Sequence, residues 1–295
     1  MKKTIAAFVA TAALLGACSS DDADTKASTT TAPAEADAPK RIVSLSATAT
    51  EMLFAIGAGD QVVAVDDYSN YPAEAPITDL SALEPNIEAI TTYDPDLVVI
   101  ANPGEAVDGL EQIGIEVLVA PAASTLDDTY EQLTELGKVT GHEAEAADVV
   151  ESIKDDLAAL VKEVPERATP LTYFHELDDT LYSVTSATFI GELYGLAGLE
   201  NIADAADPNG ENGGYPQVSA ELLVQADPDL IFLADTKCCD QDAQSFGARP
   251  GFATLKAVAT GHVVPLDDDI ASRWGPRVVD FLRKIIDALK ALPAT

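Results

Sequence analysis

Basic residues are what this chain has least of for its size. Its 295 residues hold 17 Lys and Arg against 50 Asp and Glu, a net charge of −33. A surface so acidic repels phosphate backbones, which excludes DNA and RNA as partners. Aromatic residues make up only 6% of the chain, with a single Trp. Three cysteines are too few for a scaffold held together by disulfides. The three histidines, His142, His175 and His262, are scattered, and a zinc site would need several such ligands to converge. The Gly-x-Ser-x-Gly elbow, the Gly-x-x-x-x-Gly-Lys phosphate loop and the His-Glu-x-x-His helix are all missing. With no acid–base pair standing out among the carboxylates, the chain is not expected to be an enzyme.

Hydrophobic runs are also short. Thr4–Leu15 follows Lys2 and Lys3 and is mostly apolar, but it falls below the roughly 20 residues of a membrane-spanning helix. It reads as the apolar part of a secretory signal. Leu15-Gly16-Ala17-Cys18 closes it and resembles the lipobox of bacterial lipoproteins. That resemblance implies removal of residues 1–17 and acylation of Cys18, an anchor to the cell membrane through lipid only. Residues 18–40 are rich in Ser, Thr, Ala, Asp and Pro. Nothing in them can bury enough area to offset ordering entropy, so they are expected to form a flexible tether. The body is therefore expected outside the cytoplasm.

From residue 41 onward, short β-rich runs alternate with helical ones, the pattern of a layered α/β fold with parallel strands. Arg41–Leu45, Gln61–Val65, Asp94–Ala101 and Glu116–Ala120 read as strands, and Glu51–Ile56 as a helix ending at Gly57. Asp227–Ala234 repeats the Asp94–Ala101 segment almost residue for residue. Glu88 precedes the first copy by the same offset at which Glu221 precedes the second. Such a repeat implies two similar lobes. Between them, residues 142–164 contain neither Gly nor Pro and place apolar residues at helical spacing. A helix of that length would be roughly 35 Å long. The expected architecture is two α/β lobes with mainly parallel sheets, 41–141 and 165–295, joined by a single long linking helix at 142–164.

In open α/β sheets ligands sit beyond the C-terminal ends of the strands. The loops there carry Tyr68, His175-Glu176, Tyr182, Tyr215, and the run from Asp267 to Arg277 with Asp269, Arg273 and Trp274. Tyr and Trp offer flat amphipathic contact area. Arg273 and Arg277 offer planar forks for carboxylate or phosphate, unless both are taken up by the neighbouring aspartates.

Residues 41–295 resemble the class III solute-binding proteins of ABC importers, the iron-complex and cobalamin type. The resemblance rests on Arg41–Leu45 with Thr50-Glu51, Tyr68–Pro72, Tyr215–Ser219, the two Asp-Pro-Asp-Leu strands, Arg249–Phe252, and Arg273 with Gly275–Arg277. It implies a two-lobed receptor that captures an iron chelate (siderophore or haem) or a corrinoid and hands it to an ABC permease dimer. Tyr68, Tyr215, Asp269 and Arg273 match contact positions of the cobalamin receptors, and Tyr182 matches an aromatic position approximately. Ala82 and the loop around Asn102 lack the aromatic platforms expected there. Glu88 and Glu221 match the two carboxylates, one per lobe, that engage the permease. The ligand would bring its own metal, so no cofactor and no protein metal site are expected, and the receptor is expected to act as a monomer. Two alternatives stay open: a receptor for a bare metal ion, and an extracellular thiol or redox enzyme using Cys238 and Cys239. Those adjacent cysteines could form a vicinal disulfide, a strained one because neighbouring Cα atoms lie about 3.8 Å apart, below the roughly 4.4 Å usual for a bridge.

Overall fold

The computed structural model describes residues 38–293. Cys18, the signal segment and most of the expected tether lie outside the described residues. In chain order the elements are β1 (Ile42–Leu45), α1 (Ala47–Ala55), β2 (Val62–Asp66), β3 (Ile77–Leu80), α2 (Ile87–Thr91), β4 (Leu97–Ile100), α3 (Gly104–Gln112) and β5 (Glu116–Val119). Two helices follow, α4 (Leu126–Thr140) and α5 (Glu143–Val161). Then come β6 (Thr172–Glu176), α6 (Phe189–Leu196), β7 (Glu200–Asn201), α7 (Ala220–Ala226), β8 (Leu230–Leu233), α8 (Ala243–Gly247), α9 (Lys256–Thr260), β9 (Val263–Pro265), α10 (Asp268–Ser272) and α11 (Val278–Ala291). Among the described residues, no helix is long and apolar enough to cross a membrane.

The strands form two parallel sheets, ordered β3-β2-β1-β4-β5 and β7-β6-β8-β9. β4 and β8 are buried at every position, which is why both read as unbroken apolar runs and not as alternating ones. The repeat seen in the sequence is a repeat in space. Asp96 N–H donates to the Arg41 carbonyl at 2.8 Å, and Asp229 N–H to the Thr172 carbonyl at 3.0 Å. Leu97 then pairs with Ile42, and Leu230 with Tyr173. Asp94 and Asp227, which lead into the two strands, both have positive φ, 46° and 45°. The local chemistry of the two Asp-Pro-Asp-Leu segments thus builds the same entry to the same central position of each sheet.

The helix expected over 142–164 runs from Glu143 to Val161, about 28 Å at 1.5 Å per residue. It stops short of Pro165, whose ring disfavours helical backbone just before it. Its buried face, Ala146, Ile153, Leu157 and Leu160, packs against α4 and α11. Gly137 of α4 lies so close to α5 that a Cβ there would sit 2.4 Å from that of Ala146. α4 was not anticipated, although its start is signalled by a capping box, Thr125 with Asp128. One continuous hydrophobic core runs from β1 and α1 through α4 and α5 to Tyr194, Phe232 and α11. Smaller clusters cover the outer faces of the two sheets. The lobes therefore share packed side chains as well as a linking helix.

Candidate functional site

In the first sheet the strand order reverses between β1 and β4, and the crevice outside their C-terminal ends is where such sheets bind ligands. A cavity of about 520 Å³ lies there, lined by Leu45 at the end of β1 and Ser46–Thr48 after it, Ala101 after β4, Asp66 at the end of β2, and Tyr68, Ala82 and Leu83. The second lobe closes it with Asp269, Ser272, Arg273 and Trp274. Tyr68 and Leu83 are large apolar side chains left 60% and 73% exposed, an arrangement that marks a contact surface more than a core.

A buried chain of hydrogen bonds sets the position of Tyr68. Thr50 Oγ1 donates to Ser44 Oγ at 2.9 Å and lies 3.0 Å from Ser69 Oγ. Ser69 Oγ donates to Asp66 Oδ2 at 2.7 Å, and the Tyr68 amide donates to Asp66 Oδ1 at 2.8 Å. Burial pushes the Asp66 carboxyl up from its ordinary range, against the pull of the Ser69 and Tyr68 bonds.

Arg273 lines the cavity but is 8% exposed. Its Nη1 donates to Glu51 Oε1 at 2.8 Å and Asn70 Oδ1 at 3.0 Å; its Nη2 donates to the Tyr68 carbonyl at 2.9 Å and Asp269 Oδ1 at 2.8 Å. Arg277 donates to both oxygens of Glu51, at 2.8 and 2.5 Å, and its guanidinium stacks 4.2 Å from the centre of the Tyr71 ring. The local aspartates alone do not account for the two arginines: the main partner is Glu51, a buried carboxylate on α1 of the other lobe. Asn70 Nδ2 donates to Asp269 Oδ2 at 3.0 Å, and Lys237 Nζ donates to Asp267 and Asp269 at 2.7 Å each. Burial raises Asp269, but Lys237, Asn70 and Arg273 outweigh it and hold the carboxyl below the usual range. Glu51, Asn70 and Lys237 were not singled out as site residues from the sequence. The visible signals are the Thr50-Glu51 and Tyr68–Pro72 motifs of the resemblance and a carboxylate directly before the apolar run Met52–Ala55 of α1.

Of the remaining expected residues, only Trp274 lines the cavity. Trp274 is half-buried, its indole N–H donating to Gln132 Oε1 at 3.0 Å and its carbonyl accepting from Thr129 Oγ1 at 2.9 Å; α4 thereby fixes one wall of the cavity. Tyr182 and Tyr215 are each 43% exposed. An antiparallel bridge from Tyr182 to Gln217 and a bond from Ser183 N–H to the Pro216 carbonyl bring their loops together, but neither tyrosine lines the cavity. His175 as a ligand contact is corrected: β6 continues through it, and the side chain is fully buried. Its Nδ1 lies 2.8 Å from the Tyr194 hydroxyl, and burial alone pushes its pKa down to about 3. The sheet order shows why: β6 lies between β7 and β8 and is covered on both faces, which no local pattern reveals. Among the described residues no group of three or more His, Cys, Asp or Glu is placed to hold a metal ion.

Cys238 and Cys239 are free thiols, with no bond between them. Burial, then the neighbouring Cys239 thiol, pushes the Cys238 pKa up to about 12. Glu88 and Glu221 are exposed and occupy equivalent first-turn positions of α2 and α7, behind the N-caps Asn86 and Ser219.

Residues 42–270 match the periplasmic binding protein family. The chain belongs to that family. This binding protein is 32% identical to a cobalamin-binding protein of Halobacterium salinarum over 282 residues, 92% of this chain and 75% of the relative. It is 29% identical to a vitamin B12-binding protein of Vibrio cholerae over 85% of this chain and 89% of that one. The crystal structure of the periplasmic vitamin B12 binding protein BtuF of Vibrio cholerae has a TM-score of 0.69 at 27% identity, covering 85% of this chain and 97% of that one. A periplasmic haem-binding protein from Pseudomonas aeruginosa has a TM-score of 0.74 at 22% identity, covering 87% and 95%, and shares the fold.

Proposed function

We propose that this protein is the extracytoplasmic receptor of an ABC importer and that it captures a corrinoid in the cavity between its lobes. The observation that carries the proposal is the 520 Å³ cavity at the strand-order reversal, with exposed Tyr68 and Leu83 on one lobe and Trp274 on the other. Flat amphipathic and apolar walls suit a bulky ring chelate. Similarity to the cobalamin-binding relatives supports the corrinoid over other iron or cobalt chelates. The protein delivers its cargo as a monomer, Glu88 and Glu221 presenting equivalent charges to the two halves of a twofold permease. It is held at the membrane surface by lipid on Cys18, and Cys18→Ser releases it into the medium.

It binds and does not turn over substrate. Burial raises the Cys238 thiol and disfavours its nucleophilic thiolate, which weighs against Cys238 as a redox nucleophile. The bare-ion receptor loses its histidine, since His175 faces Tyr194 inside the lobe. Titration of the full-length protein with cyanocobalamin is expected to give one-to-one, sub-micromolar binding. Glu88→Arg with Glu221→Arg is expected to leave that titration unchanged and to abolish uptake in cells. If no corrinoid or iron chelate binds, the receptor role is rejected; normal uptake by the doubly reversed variant rejects the docking role.

A further inference from the structure

Three of the chain's few basic residues, Lys237, Arg273 and Arg277, gather beside the cavity, yet each is already engaged by a carboxylate. From this we infer that the cavity selects solutes of neutral or net positive charge and turns away anionic chelates. The inference rests on the receptor function proposed above and narrows its ligand.

Arg273 would be the natural anchor for a ligand carboxylate. Its two terminal nitrogens carry four N–H bonds, and four acceptors already take them: Glu51, Asn70, the Tyr68 carbonyl and Asp269. An anion would have to displace one of these acceptors or approach the remaining Nε–H beside two carboxylates, Glu51 and Asp269, that already balance the guanidinium, and taking Arg273 from Glu51, whose side chain is 1% exposed, is costly. Arg277 is spent on the same carboxylate and on Tyr71, away from the cavity lining. Lys237 is shared between Asp267 and Asp269. An arriving anion therefore meets Asp66 and Asp269 on the cavity wall with no uncommitted cation beside them.

The adjoining space has the same sign. A groove of about 790 Å³ shares Ala82 and Leu83 with the cavity. Glu84, Glu88 and Glu105 line it, and no Lys or Arg does. A solute extending from the cavity into this groove meets three carboxylates and the neutral amides of Asn86 and Asn102, so hydrogen-bond donors such as primary amides on its periphery suit it. A porphyrin with two propionates, or a ferric tris-catecholate, brings carboxylate or phenolate oxygens to a surface of carboxylates.

The test compares three probes on the full-length protein: cyanocobalamin, which is neutral; aquacobalamin, which is cationic; and hemin, which is net anionic. Both corrinoids are expected to bind, with aquacobalamin alone weakening as NaCl is raised. Hemin is expected to bind roughly 100-fold more weakly or not at all. Asp269→Asn, which frees Arg273 in part, and the exposed pair Glu84→Gln with Glu105→Gln are each expected to raise hemin affinity by about tenfold. Hemin binding within tenfold of cyanocobalamin overturns charge selection and leaves a chelate receptor standing. Hemin affinity unmoved in both variants overturns it as well. Failure of all three probes to bind overturns the receptor function itself, and the inference with it.

Discussion

The two lobes share a backbone plan and differ at the point where it matters. In the first, the reversal between β1 and β4 opens onto the cavity, and the polar groups beneath it, Ser44, Thr50, Ser69 and Asp66, bond to one another. In the second, the equivalent position between β6 and β8 ends in Glu176 and Asp235, both fully buried. Arg249 closes it, donating to the two oxygens of Glu176 at 2.8 and 2.6 Å and to Gln241 at 2.6 Å. The second lobe contributes to the site instead through the segment after β9, with Asp269, Arg273 and Trp274. Duplicated strand order thus supplies two crevices; side chains decide which is a binding site and which is a plug.

The largest expected effect comes from joining the lobes wrongly. Glu51→Ala leaves Arg273 and Arg277 facing each other without their shared carboxylate and is expected to cost about 3–5 kcal/mol, read from urea denaturation at pH 7. A loss below about 1 kcal/mol would mean that the arginines are not held from across the lobes.

Both crevices hold a carboxyl that burial raises, Asp66 in the first lobe and Glu176 in the plug of the second. Burial, helped by the neighbouring Asp235 and opposed by Arg249, pushes Glu176 from 4.5 up to about 8. The folded lobe keeps a proton there that the unfolded chain releases, so its contribution to stability is full below pH 4.5 and is lost as pH rises towards 8. His175 acts oppositely: lowered to about 3 by burial, it favours the folded state above its ordinary 6.5 and costs stability as pH falls. The difference between wild type and Glu176→Gln isolates the first term. Unfolding midpoints measured from pH 4 to 9 are expected to converge or separate with a slope confined to roughly 4.5–8; parallel curves would show that Glu176 is ionised throughout.

The smallest effect tests how far the duplication extends. Asn86 and Ser219 cap α2 and α7 by accepting from the Ala89 and Leu222 amides. Asn86→Ala and Ser219→Ala are each expected to cost about 1 kcal/mol. Unequal losses, one near zero, would confine the repeat to backbone geometry.

Much of the strand framework could be read from local pattern. β1, β2, β4, β5 and β8 lie within one residue of the expected runs or inside them; β4 and β8, buried at every position, write themselves as continuous apolar stretches, and β5, none of whose residues is buried, reads as a strand from its Val-rich run. β3 was invisible: three of its four residues are partly or fully exposed, so it carries no apolar run. Within the candidate site, the loop residues Tyr68, Asp269, Arg273 and Trp274 line one cavity, while His175 lies inside the lobe because a strand's place in the sheet order is not a local property. That Glu176 and Arg249 pair across the second lobe beside Asp235 is hidden from local pattern for the same reason.

What the sequence by itself determined was the alternation of strands and helices, the internal repeat and the loops that gather at the strand ends. These follow from periodicity and turn chemistry, which act over a few residues. Only the tertiary structure decided that Glu51 neutralises Arg273 and Arg277, 222 and 226 positions away. Charge pairing depends on distance in space, and burial in a shared core, not spacing along the chain, brings those three side chains together.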